Sequence, residues 1–144
     1  MQTADFIDAL DAMLTEVASG QVRKLVLGLS GGLDSMVLLA LLSQWRQQQP
    51  DRQLQAVYIH HGLSPNADAW AAFCAEQCQQ RQVPFQTIRV TLQGDDNLEQ
   101  KARDARYKAL ATLVTTADTA LCTAHHADDQ LESLLLALKR GSGL

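Results

Sequence analysis

Residues 22–35, VRKLVLGLSGGLDS, run from a near-continuous apolar stretch through a glycine pair to Ser35. The first eight, VRKLVLGL, are rich in Val and Leu and read as a strand buried on both faces. From about Ser35 to Gln48, Leu38, Leu41, Leu42 and Trp45 recur at i, i+3, i+4 and i+7, the spacing of one helix face. Pro50-Asp51 ends that helix. A strand, a tight glycine turn and a helix together open a βαβ unit.

The alternation continues in both directions. Residues 3–19 read as an amphipathic helix that Gly20 stops. Downstream, a strand is expected at 54–60, a loop at His61–Pro65, and a helix from about Asn66 to Gln82 whose stripe is Ala67, Trp70, Ala71, Cys74 and Cys78. A third strand covers 84–91. The polar stretch Gln93–Asn97 leads into a helix reaching about Leu113, with Leu98, Ala102, Ala105, Ala109 and Leu113 along one side. A fourth strand is expected at 119–124 and a last helix at about 127–140, with Leu131, Leu134, Leu135 and Leu138 facing inward. Strands alternating with helices of this length predict right-handed crossovers and an α/β fold: a parallel sheet with helices on both faces. The organisation is an N-terminal helix (1–20) and one α/β domain (21–144). Its end, Gly141-Ser142-Gly143-Leu144, follows an apolar segment where such a sheet ordinarily continues, so the domain is expected to be truncated at its C-terminus.

Composition excludes several classes. The 144 residues are about one domain, and 47% hydrophobic with 19% charged is neither disordered nor collagen-like. No run of about 18 apolar residues is long enough to span a bilayer. The N-terminus has acids where a secretory signal needs cations, and three cysteines are an odd number, so a reducing cytoplasmic setting is expected. The net charge of −4, pI near 5.4 and 5% aromatics argue against this segment being the main grip on a nucleic acid. They do not exclude a small anionic ligand held by a few groups.

The turn Ser30-Gly31-Gly32-Leu33-Asp34-Ser35 directs backbone N–H groups and a helix dipole at one spot, and its glycines admit close approach. Phosphate is the expected ligand. Neither GxxxxGK[ST] nor GxGxxG is present, so no loop lysine offsets the phosphate charge. Asp34 stands there instead. Two unit charges about 4 Å apart interact by roughly 1 kcal/mol in water and about 4 at an effective dielectric of 20. A carboxylate beside phosphate therefore calls for a cation between them, and oxygen ligands with phosphate select Mg²⁺. The simpler reading is a tight βα turn in which Asp34 caps the helix.

A second acidic cluster, His125-His126-Ala127-Asp128-Asp129-Gln130-Leu131-Glu132, also lies where a strand hands over to a helix. In doubly wound sheets ligands sit beyond the carboxyl ends of the strands, at the topological switch point. With the expected strand order 3-2-1-4, the first and fourth strands are neighbours, and Asp34 and Asp129 face one another and share Mg²⁺. Otherwise the acids, Asp128 above all, merely suit the helix dipole.

SGGLDS, IHHGLSPNADAW, ARDARY and AHHADDQLESLLLALKRGSG together resemble the N-terminal part of the tRNA(Ile)-lysidine synthetase family, within the N-type ATP pyrophosphatase (PP-loop) superfamily. The resemblance runs from about Leu25 onward. SGGxDS marks the superfamily, whereas the HHGL segment and the HxxDDxxE[ST] segment with its KRGSG tail are more specific. It implies an adenine nucleotide alpha-hydrolase-like (HUP) fold and an ATP-dependent ligase in tRNA processing. Such enzymes adenylate the wobble cytidine of an isoleucine tRNA at the oxygen on carbon 2. The ε-amine of free L-lysine then attacks that carbon to give lysidine, with AMP and pyrophosphate released.

On that likeness, Ser30, Gly31, Gly32, Leu33, Asp34 and Ser35 bind ATP, and Asp34 and Asp129 hold Mg²⁺. Arg103 and Arg106, one turn apart, clamp phosphate or adenylate, as guanidinium forks suit oxyanions. Alternatively ARDARYK is a solvated face in which Lys101, Asp104 and Lys108 pair. A lysine ammonium near pKa 10.4 costs about 4.6 kcal/mol to deprotonate at pH 7, and Glu132 is the candidate acceptor. His60 and His61 open the loop at the ligand edge and are candidate substrate contacts, or structural histidines. The His-His pairs with Cys122 lack zinc spacing, and Cys74 and Cys78 are expected in the core.

Two rivals stand beside this reading. A PP-loop tRNA thiolation enzyme would want reactive or cluster-binding cysteines, often CxxC, which this chain lacks. A non-catalytic ATP-binding module would not need two acids at the phosphates. The family's additional C-terminal domains help to grip the tRNA, so this segment is expected to bind ATP without full lysidine-forming activity. The assembly is left open, a homodimer included.

Overall fold

The computed structural model describes residues 5, 7–10, 12, 22–29, 33–62, 65–94, 96–114, 116–125 and 135–140, with backbone alone for 33, 34, 124, 125 and 135–140. The apolar stretch forms β1 (Lys24–Leu29), and α1 (Leu33–Gln47) begins four residues later. The chain continues through β2 (Gln53–His60), α2 (Ala67–Gln80), β3 (Phe85–Arg89), α3 (Leu98–Ala111), β4 (Thr119–His125) and β5 (Leu135–Arg140).

The strands are ordered β3-β2-β1-β4-β5. The first four are parallel in the expected 3-2-1-4 arrangement. Successive strand residues point to opposite faces, and the burial shows both faces covered. Leu25, Leu27 and Leu29 of β1, with Leu54, Ala56, Tyr58, Ala120 and Cys122, pack under Leu38, Leu39, Leu42 and Trp45 of α1 and Cys74 and Cys78 of α2. Ile7 and Leu10 of the N-terminal segment join this cluster. On the other face Val26, Val57, Ile59 and Leu121 meet Leu110 and Val114. Helices α1 and α2 thus lie on one face and α3 on the other. This is what right-handed crossovers require when the chain winds outward from β1 to β3 and then returns to β4.

Two expectations are corrected. The helix expected over 127–140 is not seen at its end: Leu135–Arg140 is a strand antiparallel to β4, with His125 opposite Leu135 and Ala120 opposite Arg140. The run Leu135-Leu136-Ala137-Leu138 is apolar enough for either structure, and periodicity does not separate them in so short a stretch. The free edge of β4 carries unpaired N–H and C=O groups that a strand satisfies. Leu131 and Leu134 lie outside the described residues. Trp70 is 44% exposed, not part of the buried stripe of α2. Ala67, Cys74 and Cys78 make the contact line, and Trp70 stands at its flank, edge-on to Phe73 with ring centroids 6.3 Å apart.

Candidate functional site

The switch point lies between β1 and β4, because the connections after β1 and before β4 run to opposite faces. Gly28 pairs with Thr123, so the turns leaving these two strands start side by side at the carboxyl edge. Leu33, Asp34 and Ser35 open α1, and Ser35 is buried. Ser30, Gly31, Gly32, Asp128, Asp129 and Glu132, together with the Asp34 side chain, lie outside what is described.

Around this edge the described side chains form two cavities. One, of about 230 Å³, is lined by His61, Glu99, Ala102, Arg103 and Arg106. The two arginines share the α3 face that Leu110 anchors to the sheet. Arg106 passes 5.7 Å from the Tyr107 ring centroid. Its Nε and the Nδ1 of His61 are buried without a hydrogen-bond partner. Buried polar nitrogens ordinarily find partners, and two orphans at one cavity form a polar cradle that an anionic ligand would satisfy. Burial, then the Arg106 cation, then His60 push the His61 pKa below its ordinary value. The solvated-face alternative fares poorly in one respect. Lys101 binds the Gln93 carbonyl at 2.7 Å and Asp96 at 3.2 Å, while Asp104 accepts from Gln100 at 2.9 Å.

The second cavity, about 480 Å³, lies between the loops after β2 and β3, lined by His60, His61, Gly62, Arg89, Val90, Thr91, Leu92, Gly94 and Leu98. His60 ends β2 with its side chain only 7% exposed. Its Nδ1 accepts the Gly62 N–H at 3.0 Å, so the neutral ring carries its proton on Nε2, which lies 2.8 Å from Asp68 Oδ1. Arg89 donates to the same oxygen at 3.2 Å. The His60 hydrogen bond, and next that of Arg89, hold the Asp68 carboxyl below its usual range. Asp68 and Arg89 were not singled out by the sequence reading: Asp68 lies within the IHHGLSPNADAW segment but reads there as an ordinary acid near a helix start, and Arg89 belongs to no motif. Glu99 escaped it too.

A third cavity, also about 480 Å³, opens at the opposite edge beside Lys24, Arg46 and Arg52. Arg46 there donates to the Arg81 and Gln82 carbonyls at 2.7 and 2.8 Å. Arg52 donates to the Trp45 carbonyl at 2.9 Å and stacks 4.6 Å from its ring centroid. These arginines tie helix ends, so the carboxyl edge is the better site.

All three cysteines are buried. Burial raises the Cys74 and Cys78 thiols to about 11 and Cys122 upward as well. Among the described residues no three His, Cys, Asp or Glu side chains could hold a metal ion, and no helix is long and apolar enough to cross a membrane.

A family profile described as a PP-loop domain matches residues 3–144. A protein of Histophilus somni named tRNA(Ile)-lysidine synthase is 49% identical over 140 residues, covering 97% of this chain and 32% of the relative. One of the same name from Actinobacillus pleuropneumoniae is 52% identical over 122 residues, covering 85% of this chain and 28% of the relative. The chain thus spans about a third of the length of the curated relatives it matches. Among solved structures, an NH3-dependent NAD synthetase of Campylobacter jejuni superposes with a TM-score of 0.61 at 16% identity, over 84% of this chain and 56% of the other. That likeness is one of fold.

Proposed function

We propose, from the premise that this chain belongs to the PP-loop domain family, that it forms the ATP-binding part of an ATP-dependent tRNA-modifying enzyme acting as a lysidine-forming ligase. The observation that carries the reading is the pair of buried, unpartnered nitrogens, His61 Nδ1 and Arg106 Nε, at one cavity on the carboxyl edge. Guanidinium and imidazole nitrogens beside a partly desolvated space suit an oxyanion, and charge-assisted bonds of this kind are the strong ones.

In this reading Ser30, Gly31, Gly32, Leu33 and Ser35 offer N–H and hydroxyl donors to the phosphates of ATP, while Arg103 and Arg106 grip the transferred or departing phosphate oxygens. Asp34 and Asp129 would hold Mg²⁺, which when bound would neutralise phosphate charge and ease pyrophosphate departure. The wobble cytidine oxygen of an isoleucine tRNA attacks the α-phosphorus, and the ε-amine of L-lysine, deprotonated towards Glu132, displaces AMP from carbon 2. The net charge of −4 gives this segment little of the positive balance that a main grip on the tRNA needs. The working compartment is the cytoplasm.

Calorimetric titration of the purified chain with ATP, with and without Mg²⁺, tests the core of this. Wild type is expected to bind ATP in a Mg²⁺-dependent manner, and Asp34→Ala to lose that dependence. Unchanged Mg²⁺-dependent binding by Asp34→Ala would favour a simple nucleotide-holding module. Lysidine formation from isoleucine tRNA and lysine by the 144-residue chain alone is expected to be negligible; robust formation would overturn the division of labour.

A further inference from the structure

We propose that Asp68 is a positioning residue for the ligand-facing loop after β2, acting through His60, so that the paired histidines divide their labour. This rests on the nucleotide-binding reading of the same edge.

His60 is not free to take a ligand, because both ring nitrogens are engaged: Nδ1 accepts from Gly62 and Nε2 donates to Asp68. The second bond settles the tautomer, and the tautomer makes the first bond available. Gly62 has φ +75, a conformation that the bond from its N–H to His60 Nδ1 helps to hold. Between them sits His61, which lines the arginine cavity and whose Nδ1 is buried without a partner. Fixing the residues on either side of His61 fixes where that nitrogen points.

Asp68 is placed for this by the fold. It stands in the first turn of α2, and a single carboxylate oxygen reaches His60 at the end of β2 and Arg89 at the end of β3. Those two are register partners, and the Val90 N–H donates to the His60 carbonyl at 2.9 Å. One acid thereby ties two strand ends to one helix start. It is not spent on capping its own helix, where Asn66 also makes no side-chain cap. Its side chain is 79% exposed, so replacing it removes no core contact.

Three versions of the protein decide the matter: wild type, Asp68→Ala and Asp68→Asn. An asparagine oxygen still accepts the Nε2 proton without the charge, so it keeps the clasp and serves as rescue. In nitrogen-15 spectra of the ring, wild type and Asp68→Asn are expected to hold His60 as the Nε2–H tautomer, with the Gly62 amide protected from exchange. Asp68→Ala is expected to mix tautomers and to lose that protection at unchanged melting temperature. Its affinity for ATP is expected to fall about tenfold, with Asp68→Asn within about twofold of wild type. Wild-type affinity and Gly62 protection in Asp68→Ala would overturn the proposal, as would an asparagine variant as impaired as the alanine one. The ring and exchange readouts need no nucleotide, so they decide the clasp even if the wild-type chain binds no ATP.

Discussion

Gly28 of β1 and Leu110 of α3 meet so closely that a Cβ on the glycine would lie 2.9 Å from Leu110 Cδ1, with Thr123 Cγ2 at 3.3 Å. Leu110 is fully buried and is the residue by which α3 seats on the second face of the sheet. A glycine in the middle of a central strand is unfavourable in itself, and here it makes room for the helix that carries Arg103 and Arg106. Gly28→Val is therefore expected to destabilise the fold by about 2–3 kcal/mol through overpacking. Pairing it with Leu110→Ala should recover part of the loss, since contacting residues couple. Urea unfolding of the two single variants and the double variant measures this; strictly additive effects would contradict the contact.

How much of this was legible beforehand follows from which interactions are local. Alternating apolar strands and helical stripes are local signals, and they led to a parallel sheet covered by helices; the order 3-2-1-4 was a further expectation that the strand pairing bears out. The segment Leu135–Arg140 was misread because its apolar run fits both structures and its outcome depends on a partner, the edge of β4, distant in sequence. Trp70 was misplaced because spacing alone does not tell the contact line of a helix from its flank. Asp68 stood within the quoted IHHGLSPNADAW segment, yet its role was hidden for a deeper reason. An acid near a helix start is commonplace, and its meaning comes from His60 and Arg89 being register partners on adjacent strands. The SGGLDS turn, by contrast, announced itself by residue type and spacing, whereas the two arginines were singled out through the family resemblance.

The arginines should differ in importance. Arg106 is half-buried with an orphaned Nε, whereas Arg103 is exposed. Arg106→Lys keeps a charge but loses the fork, so it is expected to weaken ATP binding by about tenfold or more, roughly 1.4 kcal/mol. Arg103→Ala should cost less. Equilibrium titrations with ATP at fixed Mg²⁺ rank the two, and the reverse order would shift the anion site toward the surface side of the cavity.

Thiol chemistry separates the proposed ligase from a sulfur-transfer enzyme. With Cys74 and Cys78 raised to about 11, roughly three thiols in ten thousand are ionised at pH 7.5. An aromatic disulfide reagent is expected to label the native chain slowly and all three cysteines at once on unfolding. Rapid labelling of one thiol in the folded protein would reopen the thiolation reading.

His61 ties the site to pH. Its folded-state pKa lies below the ordinary value of 6.5 because of burial, Arg106 and His60. Below 6.5 the unfolded chain therefore takes up a proton that the folded one resists, so stability present above that pH declines as pH falls through the window beneath it. His61→Gln should flatten this decline in pH-dependent unfolding. An anion seated between His61 and Arg106 reverses the bias by favouring the imidazolium. ATP binding just below pH 6.5 is thus expected to be accompanied by proton uptake, seen as a dependence of the calorimetric heat on buffer ionisation enthalpy. The dependence should shrink in His61→Gln; if wild type and variant take up protons equally, the anion does not sit beside His61.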